Sequence, residues 1–399
     1  MSNFNQTMYA LGARRSVIRE LFEYATARKR EIGEENVFDF SLGNPSVPCP
    51  DFLTKTIKEL IENTPPEILH GYTSAAGAPI VRQKISDYIQ KQFDFTVPPS
   101  LVYMTCGAAA ALVVTLAALV EQGDEVIVFS PFFPEYRVFV ENVGAKLVPV
   151  KCTEADFSVD YAALSAAITP RTKAVIVNSP NNPTGKVLSK SEIKRLCAVL
   201  NDRANAFGTH VYLLADEPYR EIAYDSIEVP YLPSYYNDAV VCYSFSKSLS
   251  LPGERIGYVA VSPKAHLAEQ IYAAICGAGR AHGYVCAPSL WQYAVAECLG
   301  QSSDLSIYKR NRDTLCSALT EIGYRCVNPD GAFYLFVKSP IADATAFCEQ
   351  AKKHELILVP SDDFDYPGYV RISYCVDPKT IERSLPSFRA LYRDYFSEK

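Results

Sequence analysis

Apolar and polar positions along the 399-residue chain follow two periods in alternation. From residue 101 onward, short apolar runs rich in β-branched residues occur at 101–105, 126–129, 146–150, 174–178, 211–215, 240–243 and 256–261. Segments with helical spacing separate most of them. Repeated strand–helix units of this kind predict a mostly parallel, seven-stranded sheet sandwiched by helices. Upstream, 16–32 reads as an amphipathic helix with Val17, Leu21, Phe22 and Ala25 on one face, and 37–42 reads as a strand running into the turn Gly43-Asn44-Pro45. Residues 52–62 and 78–93 have helical periodicity and flank a polar loop, Gly71-Tyr72-Thr73-Ser74; residues 1–15 read as an arm. After about residue 288 the pattern changes. Helical stretches at 289–299 and 305–322 lead to a strand at 332–337, a helix at 343–354, strands at 357–360 and 369–374, and a closing helix at 379–395. The expectation is an α/β protein in which 46–287 forms a large domain and 288–399 a smaller α+β domain, of which the arm and helix of 1–45 are a part.

Composition narrows the picture. The chain is 48% hydrophobic and 21% charged, and its net charge of -6 has both signs interspersed. With no basic patch or aromatic-plus-arginine stripe, a nucleic-acid partner is not expected. Twelve cysteines are spread without a C-x-x-C, and five histidines are scattered. That distribution reads as reduced, buried thiols in a cytoplasmic protein, with no disulfide frame and no metal site. The longest apolar run, 108–120, is too short to span a bilayer, and the N-terminus lacks a signal-type apolar core, so no membrane partner is expected.

In an open parallel sheet the ligand sits beyond the carboxyl ends of the strands, which selects the residues able to do chemistry. Lys247 lies between the apolar pair Val240-Val241 and a Ser/Pro/Gly loop ending at Arg255. A lysine held at a strand end can be desolvated, lose its proton more easily and become a nucleophile. Ser244, Ser246 and Arg255 are donors suited to one anion nearby. A reactive amine beside a phosphate clamp is what pyridoxal 5'-phosphate (PLP) requires; a surface lysine in a serine-rich loop is the alternative. The small residues Gly107-Ala108-Ala109 after the first strand allow backbone N–H groups to approach an anion at a helix N-terminus, or simply make a tight turn. Phe133 is either a stacking surface for a flat ring or core. Two prolines and a glycine fix the turn carrying Asn182, while Ser189-x-x-Glu192 reads as a capping box. Asp216 ends a buried strand and needs a partner; a pyridinium N–H would serve, and Tyr219 is close enough in sequence to reach a ring hydroxyl. Arg371 stands alone in an apolar strand, where its fork suits either a carboxylate ligand or an internal salt bridge.

Taken together these residues resemble the class I aminotransferases, the aspartate aminotransferase-like group of fold-type I PLP enzymes. The resemblance covers nearly the whole chain in the family's order: Asn182-Pro183-Thr184-Gly185, Asp216-x-x-Tyr219, Ser244-x-Ser246-Lys247 with Arg255-x-Gly257, and Val370-Arg371-Ile372-Ser373. It implies that Lys247 carries the cofactor and then shuttles a proton, and that Asp216 pairs with the pyridine nitrogen. Asn182 and Tyr219 would hold the ring oxygen and Phe133 would stack on the ring. Gly107, Ala108, Ala109, Ser244, Ser246 and Arg255 would hold the phosphate. Tyr72 would reach the phosphate of a neighbouring subunit, which implies a homodimer with sites at its interface. Arg371, Asn182 and the Gly43 backbone would bind the substrate α-carboxylate. Enzymes of the family specific for aspartate use a second arginine for the distal carboxylate; Arg280 or His282 stands in the corresponding segment.

The activity this implies is transfer of an amino group between an L-amino acid and a 2-oxo acid by a ping-pong mechanism. One alternative keeps cofactor and fold but eliminates a β-substituent from cysteine conjugates, as a C–S lyase. Another is a non-catalytic regulator or binding protein of the same fold.

Overall fold

The computed structural model describes residues 4–13 and 16–396. The described residues of Met1–Asn44, Ser306–Pro329 and Phe333–Lys399 form one compact unit, and Pro45–Leu305 with Asp330–Ala332 form a second.

The first unit opens with a helix, Gln6–Ala13, inside the expected arm; it buries no residue. The next helix, Val17–Ile32, starts where the Arg19 N–H donates to Ser16 Oγ at 3.4 Å and stops at Gly33, whose φ of +95° glycine adopts without strain. Leu21 and Ala25 are buried on it as expected, whereas Phe22 is 43% exposed. Strand β1 (Phe38–Asp39) is shorter than the expected 37–42. The chain turns there because Asp39 Oδ1 accepts from the Ser41 N–H (3.1 Å) and Ser41 Oγ (2.6 Å).

In the second unit, β2 (Val102–Thr105), β3 (Glu125–Ser130), β4 (Lys146–Lys151), β5 (Thr172–Asn178), β6 (Tyr212–Glu217), β7 (Ala239–Ser244) and β8 (Gly257–Val261) form one seven-stranded sheet. Its order is β2-β8-β7-β6-β5-β3-β4. Only β8 runs against its neighbours, so the sheet is mostly parallel, as its apolar runs predict. The central strands β6, β7 and β8 are buried along their whole length because helices cover both faces. Helices Ala108–Leu119 and Lys190–Phe207 supply much of that cover, and the capping box at Ser189 and Glu192 starts the latter. Helix Ser289–Ala296, which its periodicity alone grouped with residues 288–399, belongs to this unit: Gln292 accepts from the Ala78 N–H at 2.8 Å, and Ala294 and Val295 enter its core.

The first unit resumes with β9 (Arg325–Cys326), β10 (Tyr334–Lys338), β11 (Leu356–Ile357), β12 (Val359–Pro360) and β13 (Tyr369–Ser373). Strands β12-β13-β10-β9 form an antiparallel sheet, and β11 pairs in parallel with β1. Leu21, Ala25, Val37, Ile357, Val359 and Phe364 form one buried apolar cluster in it. No helix among the described residues is long and apolar enough to cross a membrane.

Candidate active site

The carboxyl ends of β5, β6 and β7 lie side by side, with Asn178 opposite Asp216 and Asp216 opposite Cys242. Lys247 follows three residues after the end of β7, half-buried in the turn 245–249. This register brings Asp216 and Lys247 to one edge of the sheet. Asp216 is 5% exposed. Its Oδ2 accepts a short hydrogen bond from the Tyr136 hydroxyl, while its Oδ1 is buried with no partner. Burial pushes the Asp216 carboxyl up to about 7, against the pull of the Tyr136 hydrogen bond. Tyr136 is in turn held well above the usual phenol range, first by burial and then by Asp216, and Tyr219 adds to the rise. Phe133 stands edge-on to Tyr136, with ring centroids 5.7 Å apart. A buried carboxylate oxygen without a donor is costly, which makes Asp216 Oδ1 a candidate contact for a donor supplied from outside the chain.

A second cluster forms where β2, β7 and β8 meet the helix Ala108–Leu119. Gly107 caps that helix at φ +86°. A Cβ built on it would stand 3.3 Å from Arg255 Nη2 and 3.5 Å from Ser244 Oγ, so these groups converge on one point. Gly257 opposes Ser244 in the sheet, and a Cβ there would stand 3.0 Å from Gly107 Cα and run into the Tyr243 carbonyl. Ser244 Oγ and Ser246 Oγ are 2.7 Å apart, and the Ser246 N–H donates to Ser244 Oγ at 3.2 Å. Together with the N-terminus of the helix, these donors form a cradle for an anion of phosphate size. Ala108 and Ala109 are the helix's first two residues, so their N–H groups are among those it leaves unpaired.

Asn182 is 5% exposed and is placed through Asn178, a residue that sequence reasoning passed over. Asn178 Nδ2 donates to the Asp216 carbonyl at 2.9 Å, and its Oδ1 accepts from the Asn182 N–H at 2.7 Å. One amide side chain therefore ties the Asn182 turn to the end of β6. Tyr219 is 6% exposed, two residues past the end of β6.

The first unit contributes its own cluster. Arg371, on β13, is 2% exposed; its Nη2 donates to the Ser41 carbonyl at 2.5 Å, and its guanidinium lies 4.7 Å from the Tyr334 ring centroid and 5.2 Å from that of Phe364. Gly43 packs so closely on the Tyr334 hydroxyl that any side chain there would displace it. The described contacts of Arg371 are aromatic faces and a backbone carbonyl. Tyr72, Arg280 and His282 are exposed on the chain, Tyr72 fully so, and none belongs to these buried clusters.

Tyr136 and Asn178 are the functional candidates the sequence did not single out. Tyr136 stands three residues after Phe133 at the start of the helix Glu135–Asn142, where it reads as one more aromatic of an apolar stretch. Only the pairing of β5 with β6 reveals Asn178 as more than a strand residue.

Residues 35–388 match the family model for aminotransferase class I and II. An amino transferase structure from Eubacterium rectale superposes with a TM-score of 0.97 at 49% identity, over 99% of this chain and 100% of that one. The aspartate aminotransferase of Thermus thermophilus, solved with maleate, superposes at 0.87 with 25% identity, over 98% and 100%. A putative aminotransferase of Bacillus subtilis is 32% identical over 93% of this chain and 94% of its own, and a probable aspartate aminotransferase of Methanocaldococcus jannaschii is 29% identical over 94% and 97%. With a seven-stranded sheet of matching architecture and a family match spanning most of its length, this chain belongs to the class I and II aminotransferases.

Proposed function

We propose that this aminotransferase works with PLP and moves the amino group between an L-amino acid and a 2-oxo acid in two half-reactions, with aspartate and 2-oxoglutarate as the favoured pair. The observation that carries the reading is the open, buried Oδ1 of Asp216, which a protonated pyridine nitrogen would satisfy. The cradle of Gly107, Ser244 and Arg255 fits the phosphate of the same molecule. Aspartate is favoured because several similar proteins carry aspartate in their names, among them the aspartate/prephenate aminotransferase of Thermus thermophilus.

In this reading Asp216 keeps the ring nitrogen protonated, Asn182 and Tyr219 hold the ring oxygen, and Phe133 covers one ring face. Ser244, Ser246, Arg255 and the backbone of Gly107, Ala108 and Ala109 hold the phosphate. The cofactor supplies an electron sink for the charge that develops at the substrate Cα when its proton leaves. Lys247 Nζ would anchor the cofactor and would take up and return the substrate Cα proton as general base and acid. Arg371, with Asn182 and the Gly43 backbone, grips the α-carboxylate in a bidentate manner and so orients the Cα–H bond. Arg280 or His282 would meet the distal carboxylate of aspartate. Tyr72 would likewise reach the partner's phosphate, which makes the working form a homodimer, in the cytoplasm.

Borohydride treatment of the PLP-loaded protein followed by peptide mass mapping tests the anchor: the mass of reduced cofactor is expected on Lys247, and full turnover by Lys247→Ala would refute the scheme. A donor panel with 2-oxoglutarate tests the substrate. Aspartate should be preferred over alanine, and Arg280→Ala should lose aspartate activity while keeping alanine activity. Pyruvate and ammonia released from cystathionine without an amino acceptor would instead identify a lyase.

A further inference from the structure

We propose that Gln292 is a positioning residue for the cofactor site of a second copy of this chain: it fixes the loop 70–78 so that Tyr72 is presented to the partner's phosphate. The inference rests on the reading above in which Tyr72 crosses to a partner, and adds what holds that tyrosine in place.

Loop 70–78 joins the helices Pro66–Leu69 and Pro79–Phe93. Its Tyr72 is 100% exposed, and Ser74 and Ala75 are exposed as well. A loop with so little packing of its own is ordered only where other contacts offset the entropy of fixing its backbone. Those contacts come from one segment, 286–292.

Gln292, in the helix Ser289–Ala296, is 0% exposed. Its Oε1 accepts from the Ala78 N–H at 2.8 Å, and its Nε2 donates to the Ala287 carbonyl at 2.6 Å and to Thr73 Oγ1 at 3.2 Å. The amide oxygen and both amide hydrogens are thereby used. The Thr73 hydroxyl passes its own hydrogen to the Ser74 carbonyl at 3.0 Å, so a chain of bonds runs from the buried helix to the residue beside Tyr72. Gly77 makes room for this approach. Its φ is +105°, and a Cβ there would stand 3.1 Å from Gln292 Oε1 and run into Met104.

The same segment clasps the loop on either side of Tyr72. Cys286 Sγ donates to the Thr73 carbonyl at 3.2 Å, and Ser289 Oγ donates to the Leu69 carbonyl at 2.7 Å. Gln292 grips positions 73 and 78 at once and also fixes residue 287, so its loss would loosen both the loop and the clasp. A loop whose backbone is drawn inward while its tyrosine ring is left in solvent is arranged to offer that ring to something outside the chain. Damage to Gln292 should therefore be felt in the partner's site and not in the site of the chain that carries it.

PLP titration of the apoenzyme and of mixed dimers tests this. Tyr72→Phe should weaken PLP binding up to about tenfold, and Gln292→Leu by a similar factor. The double variant should be little worse than either, because both act through one contact. Two mixed dimers then carry the same pair of substitutions in different arrangements, and the PLP concentration giving half-maximal turnover reads only the site that keeps Lys247. In the first, a Gln292→Leu chain is paired with a Lys247→Ala chain. Its competent site takes the loop whose Gln292 is intact and should require no more PLP than the wild type. In the second, a chain with both substitutions is paired with a wild-type chain. Its competent site takes the loosened loop and should require as much PLP as Gln292→Leu does. Equal behaviour of the two mixed dimers, a defect confined to the first, or unaltered PLP affinity in Gln292→Leu beside a weakened Tyr72→Phe would each overturn the proposal alone. Wild-type affinity in Tyr72→Phe would overturn the Tyr72 reading and the proposal with it. Should Gln292→Leu fail to fold, Thr73→Val, which removes the hydroxyl that Gln292 holds, takes its place in the same dimers and the same outcomes decide.

Discussion

Asp216 and Glu217 are neighbours on β6, 5% and 2% exposed, and burial raises the pKa of both. On one face of the sheet, Glu217 has both oxygens filled by the fork of Arg220, which draws its pKa back down. On the other, Asp216 has one oxygen filled by Tyr136 and one left open. The first arrangement is closed on itself and serves the fold. The second is incomplete within the chain, and in the proposed function a ligand completes it. Two acids of one strand thus separate stability from function according to whether the protein completes their hydrogen bonding.

The comparison can be broken from either side. Replacing Asp216 with Asn should lower kcat by roughly a thousandfold without lowering the thermal unfolding midpoint, because a neutral amide no longer buries an incomplete charge; a loss of stability with activity kept would reverse the assignment. Replacing Arg220 with Leu should do the opposite. Glu217 is left uncompensated, at a cost of about 3–5 kcal/mol in urea unfolding, while turnover per folded molecule is retained. Adding Glu217→Gln to that variant should recover much of the loss.

The pH dependence of stability sharpens the contrast. Folding raises the Asp216 pKa from the ordinary carboxylate range to about 7, so between those limits the folded state holds a proton that the unfolded state has released. Stability of the cofactor-free protein should therefore fall as pH rises through that window. Asp216→Asn should remove this contribution, and unfolding midpoints measured across the range check it. The smallest effect is expected of Tyr136→Phe, a positioning change. It should reduce kcat/KM by roughly tenfold and move the Asp216 titration upward, since the lost hydrogen bond had held it down; an unshifted pH profile would make Tyr136 merely structural.

Much of this was legible in the residues. Apolar β-branched runs located the seven large-sheet strands, because a strand covered on both faces has no polar alternation to obscure it. Gly107, Ser244 and Arg255, 148 positions apart from first to last in the chain, were expected to share one anion and do converge. The two-residue strand β9 was not found, since two residues carry no period, and the single strand expected at 357–360 is two short ones, β11 and β12. Helix Gln6–Ala13 escaped notice for a related reason: it buries nothing and so shows no apolar face. Tyr136, Asn178 and the Glu217–Arg220 pair were missed because their significance lies in what they touch across strands, and sequence spacing does not record which of two adjacent acids finds its partner within the chain.

The central claim is that the open oxygen of Asp216 receives a protonated ring nitrogen. Nitrogen-15 NMR of the protein loaded with ring-labelled PLP reads that proton directly. The expected result is a pyridine nitrogen protonated in the wild-type enzyme at mildly alkaline pH and deprotonated in Asp216→Asn; an unprotonated nitrogen in the wild type, or the same signal in both proteins, would contradict it.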